Sequence, residues 1–378
     1  MTNAHHDDLP EPVSGSLTEA RRRELQSFSV GVLRSRLAVR KQADGCALAY
    51  PNSPEWRAKL EQFSAFYRQR NPDLSVTLEE DEGDDRLWLS IRGPEGTGQF
   101  VENSLSAADQ KRGRRARSAG RRFRRATAFA RRLPDFLVIG GARCGTTSLF
   151  MYLSEHPSFR SPEVKEIGFF DREWERGLGW YRSHFPLAAG PRGITGEATP
   201  EYLFHPRAAE RAASVVPDAR LIVLLRDPVD RAYSHYQLKV ASGFETLSFE
   251  EALEAEEARI GAGLARMRAG ERADDDCANF SYLARGRYAE QLSRWLEHFP
   301  RERLLVLSSE AFRRDRPGGF RRITEHLGLR PSTHEEFRSY HGVPRKELGR
   351  ETRERLNAHF AEANDELYEL LGEDFGWG

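Results

Sequence analysis

The second half of the chain contains unbroken apolar runs of the kind that form buried strands. Residues 136–139, 221–225 and 303–308 form largely hydrophobic stretches between polar, glycine and proline positions. Strands with this pattern are covered on both faces, as in a parallel sheet. We therefore predict a three-layer α/β domain over residues 134–378, with a mainly parallel sheet of about four or five strands.

The first hundred residues have a different pattern. Residues 16–19 fit a capping box that opens a helix, and Pro54 begins a second helix with apolar residues spaced for burial. Residues 46–50 indicate a short strand, while alternating apolar positions within 74–91 surround an acidic turn and indicate a hairpin. We predict a small α+β module over residues 1–105, with no evident catalytic set.

A basic segment, residues 106–133, joins the two modules. Between residues 111 and 132 there are eleven Lys or Arg residues and no acid. Such a run can bind nucleic acid or an anionic membrane, whereas Phe123, Phe129 and Leu133 form an apolar stripe that suits a helix lying against the catalytic domain. We favour a solvated or docking linker, because the rest of the chain is not basic. An acidic peptide, the acidic turn or a polyanionic acceptor are its candidate partners.

A glycine loop follows the first apolar run. Gly140 and Gly145 permit backbone conformations in which successive N–H groups converge on an anion, and residues 146–148 open a helix whose N-terminus favours negative charge. These glycines have the spacing of an ATP-binding loop, but Thr146 stands where that pattern has lysine. The loop thus predicts a phosphate site in which Arg143 supplies the cation. A plain glycine turn is the alternative interpretation.

The second apolar run ends in a similar way. Arg226 follows it at the carboxyl edge of the predicted sheet, Asp227 can cap a helix that starts with Pro228, and Ser234 lies two turns into that helix. Ligands of open α/β sheets bind outside this edge, so we expect Arg226 to face the same crevice as the glycine loop. The alternative is a surface arginine paired with Asp227 or Asp230.

Together these segments resemble the sulfotransferases that use 3′-phosphoadenosine 5′-phosphosulfate. Further stretches are similar to the heparan-sulfate sulfotransferase branch and its bacterial relatives, in the same order along the chain. They are residues 165–171, 177–181, 197–202, 285–288, 295–300 and 371–377. The resemblance extends from about Pro134 to the C-terminus and implies a P-loop-like sulfotransferase fold.

The resemblance also implies roles for particular residues. The residues implied to hold the 5′-phosphosulfate are Arg143, Cys144, Gly145, Thr146, Thr147 and Ser148. Arg226 and Ser234 are implied to hold the 3′-phosphate, and Tyr288 and Arg345 are added as donor-binding residues. Glu166 matches the glutamate of the family's Lys-Glu-x-x-Phe-Phe motif and is the implied general base, with a salt bridge to Lys165 as its alternative. Arg143 would stabilise charge on the leaving oxygen.

Three departures from the family limit how far the resemblance carries. Arg143 replaces a loop lysine with a group that does not act as a titratable acid. Gly168 and Ala198 replace a histidine and a lysine of the heparan 3-O branch, on the side of the acceptor. A hydroxyl or amine of a carbohydrate or natural product therefore remains the predicted acceptor class.

Two other readings of the function stay open. A P-loop kinase or nucleotidase would need magnesium and a loop lysine, and a non-catalytic protein could bind nucleotide and polyanion without chemistry. His156 is interpreted as a helix-end residue and His235 as a packing residue. No His/Cys cluster has metal-ligand spacing, so we expect no required metal.

Composition does not select a partner. The chain of 378 residues has 58 basic and 58 acidic side chains, so it has no net attraction for nucleic acid. Its apolar runs are too short for a bilayer span, and residues 1–16 lack a signal-peptide core. Three widely spaced cysteines suit a reducing compartment. We therefore expect a cytoplasmic enzyme of bacterial type.

Overall fold

The computed structural model describes most of the chain. The described ranges are residues 35–42, 44–70, 74–81, 85–94, 114–190, 193–272, 274–330 and 347–378, with isolated positions 28, 32, 33, 97, 101, 105 and 337. The predicted capping box at 16–19 and the predicted donor-binding residue Arg345 lie outside the described residues.

The N-terminal module is a four-stranded antiparallel sheet with a helix packed on one face. Its strands are β1 (Ala38–Gln42), β2 (Gly45–Pro51), β3 (Ser75–Asp81) and β4 (Arg86–Arg92), in the order β1-β2-β4-β3, and its helix is α1 (Pro54–Arg70). Leu60 and Phe63 of α1 are fully buried against alternate residues of the central strands. The strand, the helix and the hairpin predicted from the sequence are confirmed.

The second domain contains a four-stranded parallel sheet. Its strands are β5 (Phe136–Gly140), β6 (Gly196–Ala198), β7 (Arg220–Leu225) and β8 (Leu304–Ser308), in the order β6-β5-β7-β8. Leu137 pairs with Leu221, and Leu221 with Leu304, so the strands run in register to one carboxyl edge. The predicted parallel sheet is confirmed.

Helices surround this sheet. They are α2 (Arg114–Ala126), α3 (Thr146–Glu155), α4 (Gly177–Arg182), α5 (Ala208–Val215), α6 (Pro228–Ala241), α7 (Phe249–Glu254), α8 (Glu256–Arg268), α9 (Asp275–Phe280), α10 (Tyr288–Leu296), α11 (Ser309–Arg314), α12 (Arg316–His326) and α13 (Arg350–Leu371). None of the described helices is both long enough and apolar enough to cross a membrane.

The sheet separates two apolar cores, which explains the unbroken hydrophobic runs. Leu137 and Ile139 of β5 pack into one core with Trp295 of α10, whereas Phe136 and Val138 pack into the other with residues of α3 and α12. Alternate residues of β7 divide in the same way. Because both faces are covered, each position in these strands has to be apolar, and the three-layer arrangement is confirmed.

Asp275–Phe280 forms a helix, because the Asp274 carboxylate accepts hydrogen bonds from the N–H groups of Asp276 and Cys277 and caps it. The predicted apolar docking stripe is confirmed only at Leu133, which packs against the core of the catalytic domain. Phe123 and Phe129 are exposed to solvent, and it is arginine side chains that join α2 to the catalytic domain.

Candidate active site

A cleft of about 320 Å³ lies at the carboxyl edge of the parallel sheet. The structure brings most of the predicted site residues together in its lining. Those residues are Arg143, Cys144, Gly145, Thr146, Thr147, Ser148, Glu166, Arg226 and Ser234. They come from the ends of β5 and β7, the first turn of α3, the second turn of α6, and the segment before β6.

The loop between β5 and α3 is held closely against the sheet. The Gly141 N–H donates to the Leu224 carbonyl at 2.6 Å, and a Cβ at Gly141 would lie 2.9 Å from the Cys144 Sγ. Gly145 has φ +98° and no side chain to cap the helix it precedes. The first-turn N–H groups of α3 therefore receive no side-chain cap from this residue, which suits an anion at the helix N-terminus.

Arg143 joins the loop to α6. Its Nε and Nη2 both lie 3.3 Å from the Ser234 Oγ, across 91 residues of sequence. Its φ of +71° is in the left-handed region, which costs a non-glycine residue about 1–3 kcal/mol and occurs preferentially at functional sites. The loop conformation thus turns this guanidinium toward the hydroxyl predicted to bind the 3′-phosphate.

Arg226 lies at the end of β7 with almost no exposed surface. Its Nη2 is 3.2 Å from Asp230 Oδ2, and in the described part of the chain its buried Nε has no hydrogen-bond partner. Burial acts to raise the pKa of Asp230, but the nearby Arg353 and Arg226 outweigh it, and the pKa is lowered. The ion pair and the cleft position therefore coexist, and Nε, which forms no hydrogen bond and lies 4.0 Å from Glu310 Oε1, leaves a donor for a further anion.

Glu166 lines the cleft from a strained position. Its φ is +60°, its N–H donates to the Ala198 carbonyl at 3.2 Å, and its side chain is 56% exposed. Its Oε1 accepts a hydrogen bond from Lys165 Nζ. The salt bridge considered as the alternative is thus present, and the exposed carboxylate faces the same cleft as Arg143. The role of Glu166 as base stays a prediction.

Glu201 is a cleft residue that the sequence reasoning missed. It lines the cleft and accepts a hydrogen bond of 2.6 Å from Arg285 Nη2. Burial acts to raise the pKa of Glu201, but the Arg285 charge and hydrogen bond outweigh it, so the pKa is lowered. Its position directly after a Thr-Pro pair, in a segment that resembles the family, is the only signal in the sequence that could have indicated it.

A second buried carboxylate, Glu197, supports the floor near the cleft without lining it. Tyr181 and Tyr202 donate to its Oε1 at 2.6 and 3.0 Å, and Thr199 donates to its Oε2 at 2.8 Å. Burial raises the pKa of Glu197 to about 7 despite these hydrogen bonds. Burial likewise raises the pKa of the nearby Asp171 to about 6. The hydrogen bonds of Glu197 fix β6 and the turn that carries Glu201.

The domain that carries this cleft matches a known family. Residues 133–343 match the family model described as "Sulfotransferase domain". The chain belongs to the sulfotransferase family.

Individual relatives agree with this assignment. The chain is 30% identical over 277 residues to human heparan sulfate glucosamine 3-O-sulfotransferase 3B1, covering 66% of each chain. It is 35% identical over 215 residues to human bifunctional heparan sulfate N-deacetylase/N-sulfotransferase 3, covering 53% of this chain and 23% of the relative. The chain thus spans less than two thirds of the length of these curated relatives.

A solved structure resembles the same part of the chain. The sulfotransferase from Alicyclobacillus acidocaldarius is 34% identical, with a TM-score of 0.51, and the match covers 65% of this chain and 98% of that one. Among the described residues, no group of three His, Cys, Asp or Glu is arranged to hold a metal ion.

Some residues singled out in the sequence lie outside the sulfotransferase cleft. Tyr288 is buried and does not line it; its hydroxyl donates to the Arg226 carbonyl at 2.8 Å and so positions the end of β7. His235 is buried against Ser281, and His156 ends α3.

Cys144, in contrast, lines the cleft. Burial raises the pKa of the Cys144 thiol to about 11, so this loop thiol stays protonated.

The two acceptor-side departures are also placed by the structure. Gly168 has φ +70°, and a Cβ there would lie 3.2 Å from Asp171 Oδ1. A histidine at this position would therefore be strained. Ala198 is fully buried in the core cluster below the loop and does not line the cleft.

Proposed function

We propose that this domain transfers a sulfuryl group from 3′-phosphoadenosine 5′-phosphosulfate to a hydroxyl or amine. The observation that carries the proposal is the meeting of Arg143 and Ser234, 3.3 Å apart, at the carboxyl edge of a parallel sheet. One belongs to a phosphate-binding loop and the other to the helix that begins beside Arg226. The cleft thus offers two groups of anion-binding residues, which match a donor with phosphate groups at two positions.

The donor fits the charges of the cleft. The 5′-phosphosulfate would lie against the loop and the N-terminus of α3, where Arg143 and backbone N–H groups meet a negative group. The 3′-phosphate would contact Arg226 and Ser234. Membership of the sulfotransferase family supports this donor, and Thr146 at the position of the nucleotidase lysine disfavours a γ-phosphate clamp.

The transfer is an in-line displacement at sulfur. The acceptor oxygen or nitrogen forms a bond to sulfur while the bond from sulfur to the bridging oxygen breaks, and the acceptor proton passes to the Glu166 carboxylate. Arg143 stabilises the charge that develops on the bridging oxygen. The products are the sulfated acceptor and 3′-phosphoadenosine 5′-phosphate.

The acceptor that we propose is a carbohydrate or a natural product. Relatives named for 3-O- and for N-sulfotransfer to heparan sulfate both resemble this chain, which supports an oxygen or nitrogen acceptor. Gly168 and Ala198 replace the residues of the 3-O branch, so the acceptor of that branch is not carried over.

We also propose that the protein is a bacterial-type enzyme of the cytoplasm. The match to almost the whole of a bacterial sulfotransferase supports the first part. The described cysteines, Cys46, Cys144 and Cys277, are free and buried, which suits a reducing compartment. Fractionation of the producing cell tests this proposal, and recovery from an extracytoplasmic compartment would contradict it.

Calorimetry and turnover test the proposed reaction. We expect 3′-phosphoadenosine 5′-phosphate to bind without metal, and ATP with magnesium to bind at least about tenfold more weakly. Incubation with a labelled donor and a library of hydroxyl and amine acceptors should transfer label. Preferred binding of ATP with magnesium would indicate a kinase or nucleotidase, and nucleotide binding without any transfer would indicate a binding protein.

A further inference from the structure

Helix α2 and the turn that follows it carry a charge that the proposed reaction does not use. Residues 111–132 contain eleven basic residues and no acid, although the chain as a whole is neutral. The cleft residues all lie elsewhere in the chain, from position 142 onward. This concentration of charge therefore calls for a separate explanation.

Exposed apolar side chains lie in the same region. Phe129 is 81% exposed and Phe123 58% exposed, and the exposed Leu178 and Leu187 belong to segments that contact the turn at 128–131. Single exposed apolar residues need no explanation, but a group of them on adjoining segments marks an interaction surface.

Polar contacts determine which side of α2 and of the turn at 128–131 faces outward. Arg124 Nη1 donates to the carbonyls of Ser183 and Phe185 at 3.0 and 3.2 Å, and Arg131 Nη1 donates to the Phe185 carbonyl at 2.7 Å. Arg124 also faces Glu163 at 3.4 Å. These contacts hold the helix against the domain on one side and leave Phe123 and Phe129 on the surface.

Three further arginines of the helix lie on the surface. Arg121, Arg122 and Arg125 are exposed, and no described acidic side chain forms a salt bridge with them. Arg125 borders a shallow groove together with Arg176 and Trp180, whose guanidinium and ring lie 5.1 Å apart. Basic and aromatic groups thus lie together at this groove.

We propose that this surface binds an anionic lipid bilayer. Helices that lie in a membrane interface combine Lys and Arg with Phe, Trp and Leu, and their charges are attracted to anionic headgroups. A nucleic-acid duplex or a sulfated glycan would use the arginines but would leave Phe129 in water. The exposed apolar groups therefore favour the bilayer, and they would enter the boundary between headgroups and acyl chains.

Co-sedimentation with vesicles tests the proposal on the full-length chain. We expect binding to phosphatidylcholine vesicles that contain phosphatidylglycerol, weak binding to pure phosphatidylcholine, and a loss of binding as salt is raised. Each basic residue near an anionic surface contributes about a fivefold factor, so Arg121→Ser with Arg122→Ser should weaken binding about thirtyfold. Phe129→Ser should weaken it about tenfold, the value of one buried aromatic group.

Matched variants separate this surface from general effects. Arg321→Ser with Arg322→Ser removes two exposed arginines of α12, and Leu37→Ser removes an apolar residue as exposed as Phe123, at 58%. Both should leave vesicle binding unchanged. Phe129→Ser should keep the unfolding temperature, because most of its side chain is in solvent, so a folding defect would not confuse the result.

Three outcomes would overturn the proposal. The first is that the intact chain does not bind anionic vesicles. The second is that Phe129→Ser binds them as tightly as the wild type, and the third is that the control variants lose as much binding as the variants of the surface. The surface would be assigned to a soluble polyanion instead if two results came together. The Phe129→Ser variant would dissociate from heparin or from a short RNA duplex at the same salt concentration as the wild type, and its binding to vesicles would be unchanged. A proposed reaction that proved wrong would not alter any of these readouts.

Discussion

At the scale of single residues, the site depends on side chains placed in conformations that cost energy. Arg143 and Glu166 have positive φ values of 71° and 60°, and both face the cleft. Arg226 is buried with one guanidinium nitrogen unsatisfied. Such strain persists because the surrounding structure holds it, and it concentrates where a ligand completes the site.

Arg226→Ala tests the 3′-phosphate site. Binding of 3′-phosphoadenosine 5′-phosphate should weaken by about 1.5–3 kcal/mol in calorimetry, the range for hydrogen bonds to charged groups. Adenosine 5′-phosphosulfate, which lacks the 3′-phosphate, should bind as before. Arg353→Ala is the control, because it removes the other partner of Asp230, 2.6 Å away, outside the cleft lining. Equal losses for both nucleotides would show that Arg226 does not contact the 3′-phosphate.

Glu166→Gln tests the general base. The amide keeps the shape but does not accept the proton, so turnover should fall by about 10²–10⁴ while donor affinity changes less than about twofold. The loss should shrink for acidic phenols, which ionise without help near neutral pH. Glu201→Gln removes the other carboxylate described in the cleft, and a larger loss in that variant would move the base to Glu201.

At the scale of elements, the loop before α3 and the buried acids near β6 hold the site in place. The loop conformation depends on glycine where φ is positive, as at Gly145. Below it, Glu197 links β6 to α4 through Tyr181 and to the following turn through Tyr202 and Thr199. Each arrangement contributes to the stability of the fold, and a single substitution changes that contribution by an amount that unfolding experiments can measure.

Gly145→Ala should lower the free energy of unfolding by about 1–2 kcal/mol, the cost of a left-handed conformation for an L-residue. No atom lies within 4 Å of the added Cβ, so a clash does not contribute. Gly120→Ala in α2 is the matched control, also free of contacts, and should stabilise the helix by about 0.5–1 kcal/mol. Denaturant unfolding measures both, and effects of the same sign would contradict the explanation.

The pH dependence of stability tests Glu197. Its pKa of about 7 in the folded chain lies above the ordinary value of 4.5, so the folded state keeps a proton that the unfolded state releases. Its contribution is therefore complete below pH 4.5 and is lost as the pH rises to about 7, a change of about 3 kcal/mol.

Glu197→Gln should remove that part of the pH dependence. Denaturant unfolding between pH 5 and 8 should show a steeper fall for the wild type than for the variant. Asp171 adds a change of the same sign, and its charge also raises the pKa of Glu197, so the difference between the two curves measures Glu197 together with this coupling. Parallel curves would mean that Glu197 is ionised in the folded protein.

At the scale of the whole molecule, the chain contains two separate sets of core residues joined by the basic segment. The N-terminal core shares no residues with the two cores beside the parallel sheet, or with the further cluster that residues of α6, α7 and α8 form in the sulfotransferase domain. The segment before β5 nevertheless belongs structurally with the catalytic domain. Arg131 is buried, and the Ala188 N–H donates to the Ala130 carbonyl at 2.9 Å.

Two shortened chains test this organisation. A chain that starts at Lys111 should bind 3′-phosphoadenosine 5′-phosphate as the full chain does, because every cleft residue is retained. A chain that starts at Pro134 loses the contacts of Arg124 and Arg131 and should unfold at a lower temperature. Failure of the longer form to bind nucleotide would show that the N-terminal module is part of the catalytic unit.

The sequence by itself determined the local features of this protein. The apolar runs of β5 and β7, the glycine loop and the Asp227 cap follow from local chemistry, and each was predicted correctly. They could be predicted because burial on both faces, positive φ and helix capping each restrict the residue types at a position.

The tertiary structure decided which residues lie next to one another and which are buried. The approach of Arg143 to Ser234, the entry of Glu201 into the cleft and the burial of Glu197 and Tyr288 involve residues far apart in the chain or facing inward by packing alone. The basic segment shows the same limit, because Phe123 and Phe129 gave a docking pattern, whereas Arg124 and Arg131 are the residues that donate to carbonyls of the domain. Long-range partners are absent from a local pattern, and they determine which side of an element is buried.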